Sequence, residues 1–243
     1  MDIDKVLKLR FNVRPLRWCI NALAIALFLG VVAYPVAMGH LPPPPPVKIL
    51  SPIEQTQMAQ ISFIETEIMS RPGTVANFPA RVVATTLVHE AHKARLDPLF
   101  VLAVVEAESN FVIDARSHAN AKGLMQILPS TFAAMNPTGN IFDPAENIRA
   151  GTRLLGLLMG SFHRPESILM AYNGGPSRTA KYLNAQAVGE DYPISEEMRT
   201  YPRKVMSKYK RLLAKAGHRP TDAHKLFKVP NKPVSRPSIG KQP

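Results

Sequence analysis

Along the middle of the chain, apolar residues recur at the three- and four-residue spacing of helix faces, punctuated by prolines and by Asp-Pro pairs. Pro79 predicts a helix running to about Arg95, with Val82, Val83, Leu87 and Ala91 on its inner face. Asp97-Pro98 predicts the next, with Asp as N-cap and Pro at the first helical position, where its missing N–H costs nothing. That helix carries Leu99, Leu102 and Val105 inward and reaches Glu106 and Glu108 near its C-terminal end. Asp143-Pro144 repeats the start signal ahead of Ile148, Leu154, Leu155, Leu157 and Leu158, and Gly160 suits a C-cap. Pro165 opens a shorter helix ending at Asn173-Gly174-Gly175. Phe111 to Gly123 has no sustained helical period and reads as a loop or a small sheet. An earlier helix over Ser51 to Met69 would align Ile53, Met58, Ile61, Ile64 and Ile68, either packed on the main domain or standing as a stalk.

The two ends differ from this middle. Lys5, Lys8, Arg10, Arg14 and Arg17 precede an uncharged apolar run over 20–38. As a helix that run spans about 28 Å, close to the hydrocarbon thickness of a bilayer. Basic residues before it and none just after it place the N-terminus in the cytoplasm and the rest outside. A cleaved signal peptide is the competing reading, since Val31-Val32-Ala33 and Ala37-Met38-Gly39 are tolerable cleavage sites. The apolar run is longer than the usual secretory core of about 7–15 residues, which favours an uncleaved anchor. Cys19 precedes the run and does not suit a lipoprotein anchor; as the chain's one cysteine it also excludes an internal disulfide framework. Pro42 to Pro46 must be extended polyproline II, a stiff spacer.

The expected organisation is a cytoplasmic basic segment 1–19, a transmembrane anchor 20–38, a Pro-rich spacer with a candidate stalk helix 39–77, a helical domain 78–216 and a basic, disordered tail 217–243. The chain has 243 residues, 46% of them hydrophobic, enough to bury a core. Its formal charge of +12 is carried by the ends: residues 202–243 hold +11 and residues 1–40 hold +3, leaving 41–201 at −2. A near-neutral middle argues against a nucleic-acid-binding core. The tail's charge suits anionic lipid, wall polymer or an acidic protein.

Glu108 is the foremost candidate for chemistry. A carboxyl at the end of a buried helix is desolvated, and desolvation raises its pKa into the range of a general acid. The competing reading is an ordinary solvated carboxylate at a helix end. Glu106 cannot pair with it on one helix face, since residues two apart point about 200° from each other; it is expected at the surface or behind the site. His89 and His92 stand three apart, a spacing that can bind metal, but no third ligand is evident and two polar residues on an outer helix face are the plainer reading. No Gly-rich phosphate loop or Gly-x-Ser-x-Gly elbow is present. The motifs call for no metal and no cofactor.

Three strings change the weighing. Glu108-Ser109-Asn110-Phe111, Gly123-Leu124-Met125-Gln126-Ile127-Leu128-Pro129 and Ala171-Tyr172-Asn173-Gly174-Gly175-Pro176 resemble motifs of the SLT-type lytic transglycosylases, lysozyme-like enzymes that cut peptidoglycan glycan strands. Asn147-Ile148-Arg149-Ala150-Gly151 and Glu197-Met198-Arg199-Thr200-Tyr201 add to the resemblance, which covers about residues 80–210 in the family's order. It implies a mostly α, lysozyme-like α+β fold: one helical domain with a small loop or β region, preceded here by the transmembrane helix.

By position, Glu108 matches the family's catalytic acid. Ser117 matches a serine that orients the N-acetylmuramoyl unit or its water. Gln126, Tyr172 and Asn173 match cleft residues that contact sugar, Met125 one that shapes the cleft, and Glu197 and Tyr201 the cleft's far wall. Asn120 stands where the family has Gly, and Asn is the next best residue for a left-handed backbone position. Asp114 replaces a common Pro, and Met198 and Pro202 stand where Thr and Val are common.

The resemblance implies cleavage of the β-1,4 bond between N-acetylmuramic acid and N-acetylglucosamine without water, giving 1,6-anhydromuramic ends. The substrate's N-acetyl carbonyl would assist, as in other substrate-assisted glycosidases. A hydrolytic muramidase of the same fold is the nearest alternative, with Asp114 as the base to check. A non-catalytic peptidoglycan-binding scaffold of an envelope-spanning secretion or conjugation machine is the other. The expected setting is the bacterial inner membrane, crossed once, with the domain in the periplasm, or a soluble periplasmic protein if the leader is cleaved.

Overall fold

The Asp-Pro pairs cap their helices as their chemistry dictates. The computed structural model describes residues 50–71 and 78–219, which hold eight helices: α1 Pro52–Met69, α2 Ala80–Ala94, α3 Pro98–Glu108, α4 Pro129–Ala134, α5 Pro144–Met159, α6 Pro165–Gly174, α7 Pro176–Ala187 and α8 Glu196–Lys215. Asp97 accepts from the Leu99 N–H and Asp143 from the Glu146 N–H, each satisfying a backbone donor that the first turn would otherwise orphan. Arg95 ends α2 in the left-handed conformation at φ 58°.

The centre of the fold is α3. Ten of its eleven residues, Pro98 through Ala107, are buried, so the helix is enclosed on every side and its last residue, Glu108, marks where it emerges. Around it, α2 packs on α1 and α5, and α8 packs on α3 and α6. The α3–α8 contact is fixed at one point by Tyr209, whose hydroxyl donates to Asp97 Oδ2 at 2.7 Å and whose ring meets Phe100 edge-on at 5.6 Å.

The question left by the sequence over α1 is answered by its packing. Ser51 and Glu54 form a capping box. Ile61, Ile64 and Ile68 are buried in the main core, so this helix is part of the domain and no stalk. Ile53 and Met58 do not join that face; they are 71% and 43% exposed, as is Val82 at 51% on α2. Val82 precedes Val83 by one residue, a rotation of about 100° that carries it off the buried stripe.

The stretch 111–128 forms no strand. Two isolated bridges, Arg116 with Lys122 and Lys122 with Ile127, are all the β structure among the described residues, so the small sheet allowed by the sequence is a chain of turns. The predicted anchor 20–38, the proline run 42–46 and the tail beyond Arg219 lie outside the described residues. Among those described, no helix is long and apolar enough to cross a membrane.

Candidate active site

The five strings singled out in the sequence meet in space, and their glycines show how. A Cβ on Gly123 (φ 79°) would lie 2.3 Å from the Asn147 amide nitrogen. One on Gly151 would lie 2.4 Å from the Met125 sulfur, and one on Gly174 would lie 2.3 Å from the Met198 sulfur. Each glycine is where one string presses on another. Asn147, fully buried, ties the turn below the site: its Oδ1 accepts from Met125 N–H at 2.7 Å, and its Nδ2 donates to Lys122 O at 3.0 Å and Ile141 O at 2.7 Å. This accounts for the Asn in the fourth string, to which the sequence reading gave no role.

Glu108 stands at the exit of α3, partly buried at the wall of a cleft of about 580 Å³. The next residues turn sharply away. Ser109 Oγ accepts from Phe111 N–H at 3.1 Å, and Asn110 and Phe111 both take positive φ. Phe111 tolerates φ 66° because its ring is buried edge-on against Phe78 at 6.4 Å.

Burial pushes the Glu108 carboxyl up to about 7. The hydrogen bond from the Tyr201 hydroxyl to Oε1, 2.5 Å long, and the nearby Lys204 ammonium both favour the ionised form, while the Glu197 charge opposes it. Desolvation wins. The Tyr201 and Tyr172 hydroxyls, held in the same dry corner beside Glu108, are themselves driven well above the ordinary phenol range, first by burial and then by that carboxyl. Both stay neutral donors at any working pH.

Ser117, Gln126, Tyr172, Asn173, Glu197 and Tyr201 line the same cleft as Glu108. Ser117 Oγ accepts from Ala121 N–H at 3.0 Å, closing a turn in which Asn120 takes the left-handed conformation expected of it, at φ 64°. Gln126, also left-handed at φ 48°, donates from Nε2 to Ala115 O and Gly123 O, which leaves its Oε1 for other partners. Tyr172 donates to Met125 O at 2.8 Å, and Asn173 Nδ2 donates to Glu197 Oε1 at 3.1 Å.

Met125 is placed differently from the expectation. It is fully buried and does not line the cleft; its side chain fills the core against Gly151, and only its carbonyl serves the wall, through Tyr172. Asp114 is exposed and outside the cleft lining. Glu106 is not at the surface. It is 5% exposed and takes Arg71 Nη2 at 2.7 Å, Lys208 Nζ at 2.8 Å and Arg211 Nη2 at 2.5 Å. Burial alone would raise its pKa, but the bonds and charges of Lys208 and Arg71 outweigh burial and hold the carboxyl below its usual range. Two glutamates two residues apart are thus set to opposite states.

Lys204 and Thr200 of α8, Leu128, Thr131 and His118 also line the cleft and were missed. Thr200 lies inside the Glu197–Tyr201 string, three residues after Glu197, and Lys204 lies three residues after Tyr201; that helical spacing is the one signal that could have found them. His92 bonds Gln60 Oε1 at 2.9 Å across α1 and α2, and among the described residues no cluster of three or more His, Cys, Asp or Glu is placed to hold a metal.

The chain is similar in sequence to known transglycosylases. The transglycosylase SLT domain family matches residues 86–194. A Salmonella typhi protein named membrane-bound lytic murein transglycosylase C is 31% identical over 152 residues, covering 48% of this chain and 42% of that protein. The transglycosylase of Enterobacteria phage PRD1 is 35% identical over 98 residues, covering 40% of this chain and 35% of that one. The chain therefore spans less than half the length of the curated relatives it matches. The crystal structure of the 70 kDa soluble lytic transglycosylase of Escherichia coli superposes with a TM-score of 0.52 at 20% identity, over 71% of this chain and 32% of that one, a likeness of fold. Over residues 86–194 the chain is thus similar to the transglycosylase SLT domain family and to these lytic transglycosylases.

Proposed function

We propose that the chain cleaves the β-1,4 bond between N-acetylmuramic acid and N-acetylglucosamine in peptidoglycan and leaves a 1,6-anhydromuramic end. The observation that carries this reading is Glu108: a carboxyl in the cleft wall whose pKa of about 7 keeps a large share of it protonated at neutral pH. Protonated Glu108 gives its proton to the glycosidic oxygen as the bond to C1 breaks, and the N-acetyl carbonyl of the substrate stabilises the positive charge at C1. The Glu108 carboxylate then takes the proton of the C6 hydroxyl, whose oxygen bonds to C1. One C–O bond breaks and one forms, the first proton stays on the leaving sugar's oxygen, Glu108 is reprotonated from the C6 hydroxyl, and no water enters the balance.

Ser117, Gln126, Tyr172, Asn173, Glu197 and Tyr201 would hold the sugar, with Met125 supporting the cleft from behind. The Salmonella typhi relative is named a membrane-bound lytic murein transglycosylase, which supports a periplasmic setting with residues 20–38 as an inner-membrane anchor. An anchored wall-cutting domain suits local opening of the wall for an envelope-spanning secretion or conjugation machine, with the basic tail binding anionic lipid, wall polymer or an acidic protein.

Mass spectrometry of muropeptides released by the purified chain, beside Glu108→Gln, tests the reaction. Products lighter than hydrolytic ones by one water, and absent with Glu108→Gln, are expected. Products of full hydrolytic mass would overturn the anhydro reading in favour of a muramidase. Glu197, the other carboxylate lining the cleft, would then replace Asp114 as the base to test.

A further inference from the structure

One stripe of α8 grips the end of the helix that carries Glu108. Tyr201, Lys204, Lys208 and Arg211 lie at i, i+3, i+7 and i+10, on one helix face. Each meets one of three consecutive residues of α3. Tyr201 donates to Glu108 Oε1, Lys204 Nζ donates to Ala107 O at 2.6 Å, and Lys208 and Arg211 both bind the buried Glu106. Arg71, just past α1, closes the cluster from a third side at 2.7 Å from Glu106. Breaking such a buried cluster is costly, so the register of α8 against α3 is firmly set at residues 106–108.

Within that stripe Lys204 has an unusual place. It lines the cleft, yet its ammonium is bound to the backbone carbonyl next to Glu108 and so stands fixed at the C-terminal end of α3. A cation there also meets the negative end of the helix dipole. The other groups facing Glu108 are Tyr201 and Glu197 from α8 and Tyr172 from α6; of all these, Lys204 alone carries positive charge.

We propose that Lys204 is a positioning residue for the reaction: held by Ala107 O, it stabilises the carboxylate that Glu108 becomes when its proton leaves for the glycosidic oxygen. Burial makes Glu108 a ready holder of a proton but a reluctant donor, and a fixed charge beside it lowers the cost of the step in which its own charge appears. The inference rests on the acid role of Glu108 proposed above.

The test uses the full chain as wild type, Lys204→Met and Lys204→Arg, with glutamate carboxyls labelled by carbon-13 and the Glu108 signal assigned by its loss in Glu108→Gln. NMR titration reads Glu108 without turnover, and kcat and KM are measured on purified peptidoglycan. Lys204→Met should raise the Glu108 midpoint by roughly one pH unit and lower kcat about tenfold at unchanged KM, with Lys204→Arg restoring most of both. A Glu108 midpoint unmoved in Lys204→Met, or a raised KM at unchanged kcat, would overturn the proposal and make Lys204 a sugar-binding residue. If the wild type fails to cut peptidoglycan, the functional reading falls, while the titration still decides whether Lys204 sets the state of Glu108. A circular-dichroism melt of each variant separates loss of function from loss of fold.

Discussion

The Tyr201 hydroxyl donates to Glu108 Oε1 at 2.5 Å, joining residues 93 apart in sequence across the wall of the cleft. The phenol stays neutral because it is buried beside that carboxyl, so it can donate but never carry charge at working pH. Its bond favours the ionised form of Glu108 against the stronger pull of burial. The working state of the acid is thus a balance, and each contributor can be removed singly.

Removing the hydroxyl shifts the balance toward the neutral form. Tyr201→Phe should move the alkaline limb of the pH–rate profile upward by roughly one pH unit and lower turnover about tenfold. A downward shift, measured by kcat/KM against pH, would contradict the assigned hydrogen bond.

Stability should follow the same carboxyl. The folded pKa of Glu108, about 7, lies above the ordinary carboxyl value of 4.5. Its favourable contribution is therefore fully present below about pH 4.5 and is lost as pH rises to about 7, where the buried charge costs up to about 3 kcal/mol. Glu108→Gln removes the charge. Its melting temperature should match wild type near about pH 4 and exceed it above about pH 7, read by a thermal melt at each pH. An equal difference at all pH values would show that Glu108 is not desolvated.

Glu106 should behave in the opposite sense. Glu106→Gln leaves Arg71, Lys208 and Arg211 facing one another without their shared carboxylate. A loss of about 2–4 kcal/mol in a denaturant titration is expected, since removing one partner strands the rest. A change under about 0.5 kcal/mol would place that cluster among ordinary surface pairs.

Gly151→Ala probes the floor of the site. Its new Cβ would lie 2.4 Å from the Met125 sulfur and 2.8 Å from the Met125 Cβ, too close for the tip of the side chain alone to yield. A cost of about 1–3 kcal/mol is expected, with partial recovery when Met125→Ala is added. Strict additivity of the two changes would contradict the contact.

Much of this was legible in the sequence where a local signal has one physical meaning. Asp97 and Asp143 marked helix starts because an aspartate before a proline caps a helix in one way. Asn120 marked a left-handed turn because few residues tolerate one. Glu108 stood out through its place after an apolar run, and the resemblance joined it to Gln126, Tyr172 and Asn173. The rest depends on contacts between distant residues. Nothing local distinguishes Glu106, locked by cations 35 to 105 residues away, from a solvated glutamate. Met125 belongs to a cleft motif yet faces the core, because its partner is Gly151 on another helix. The long helix α8 went unrecognised as an element because Pro202 interrupts its pattern near the start, although its tyrosines, methionines and leucines bury one face of it.

The most direct measurement is the pH dependence of glycan cleavage by the purified chain, with Glu108→Gln alongside. A proton donor with a midpoint of about 7 predicts kcat/KM that falls as pH rises through about 7, with the slope of one proton, and a variant slower by at least about a hundredfold at every pH. A profile flat across that range, or cleavage by Glu108→Gln at the wild-type rate, would contradict the role given to Glu108.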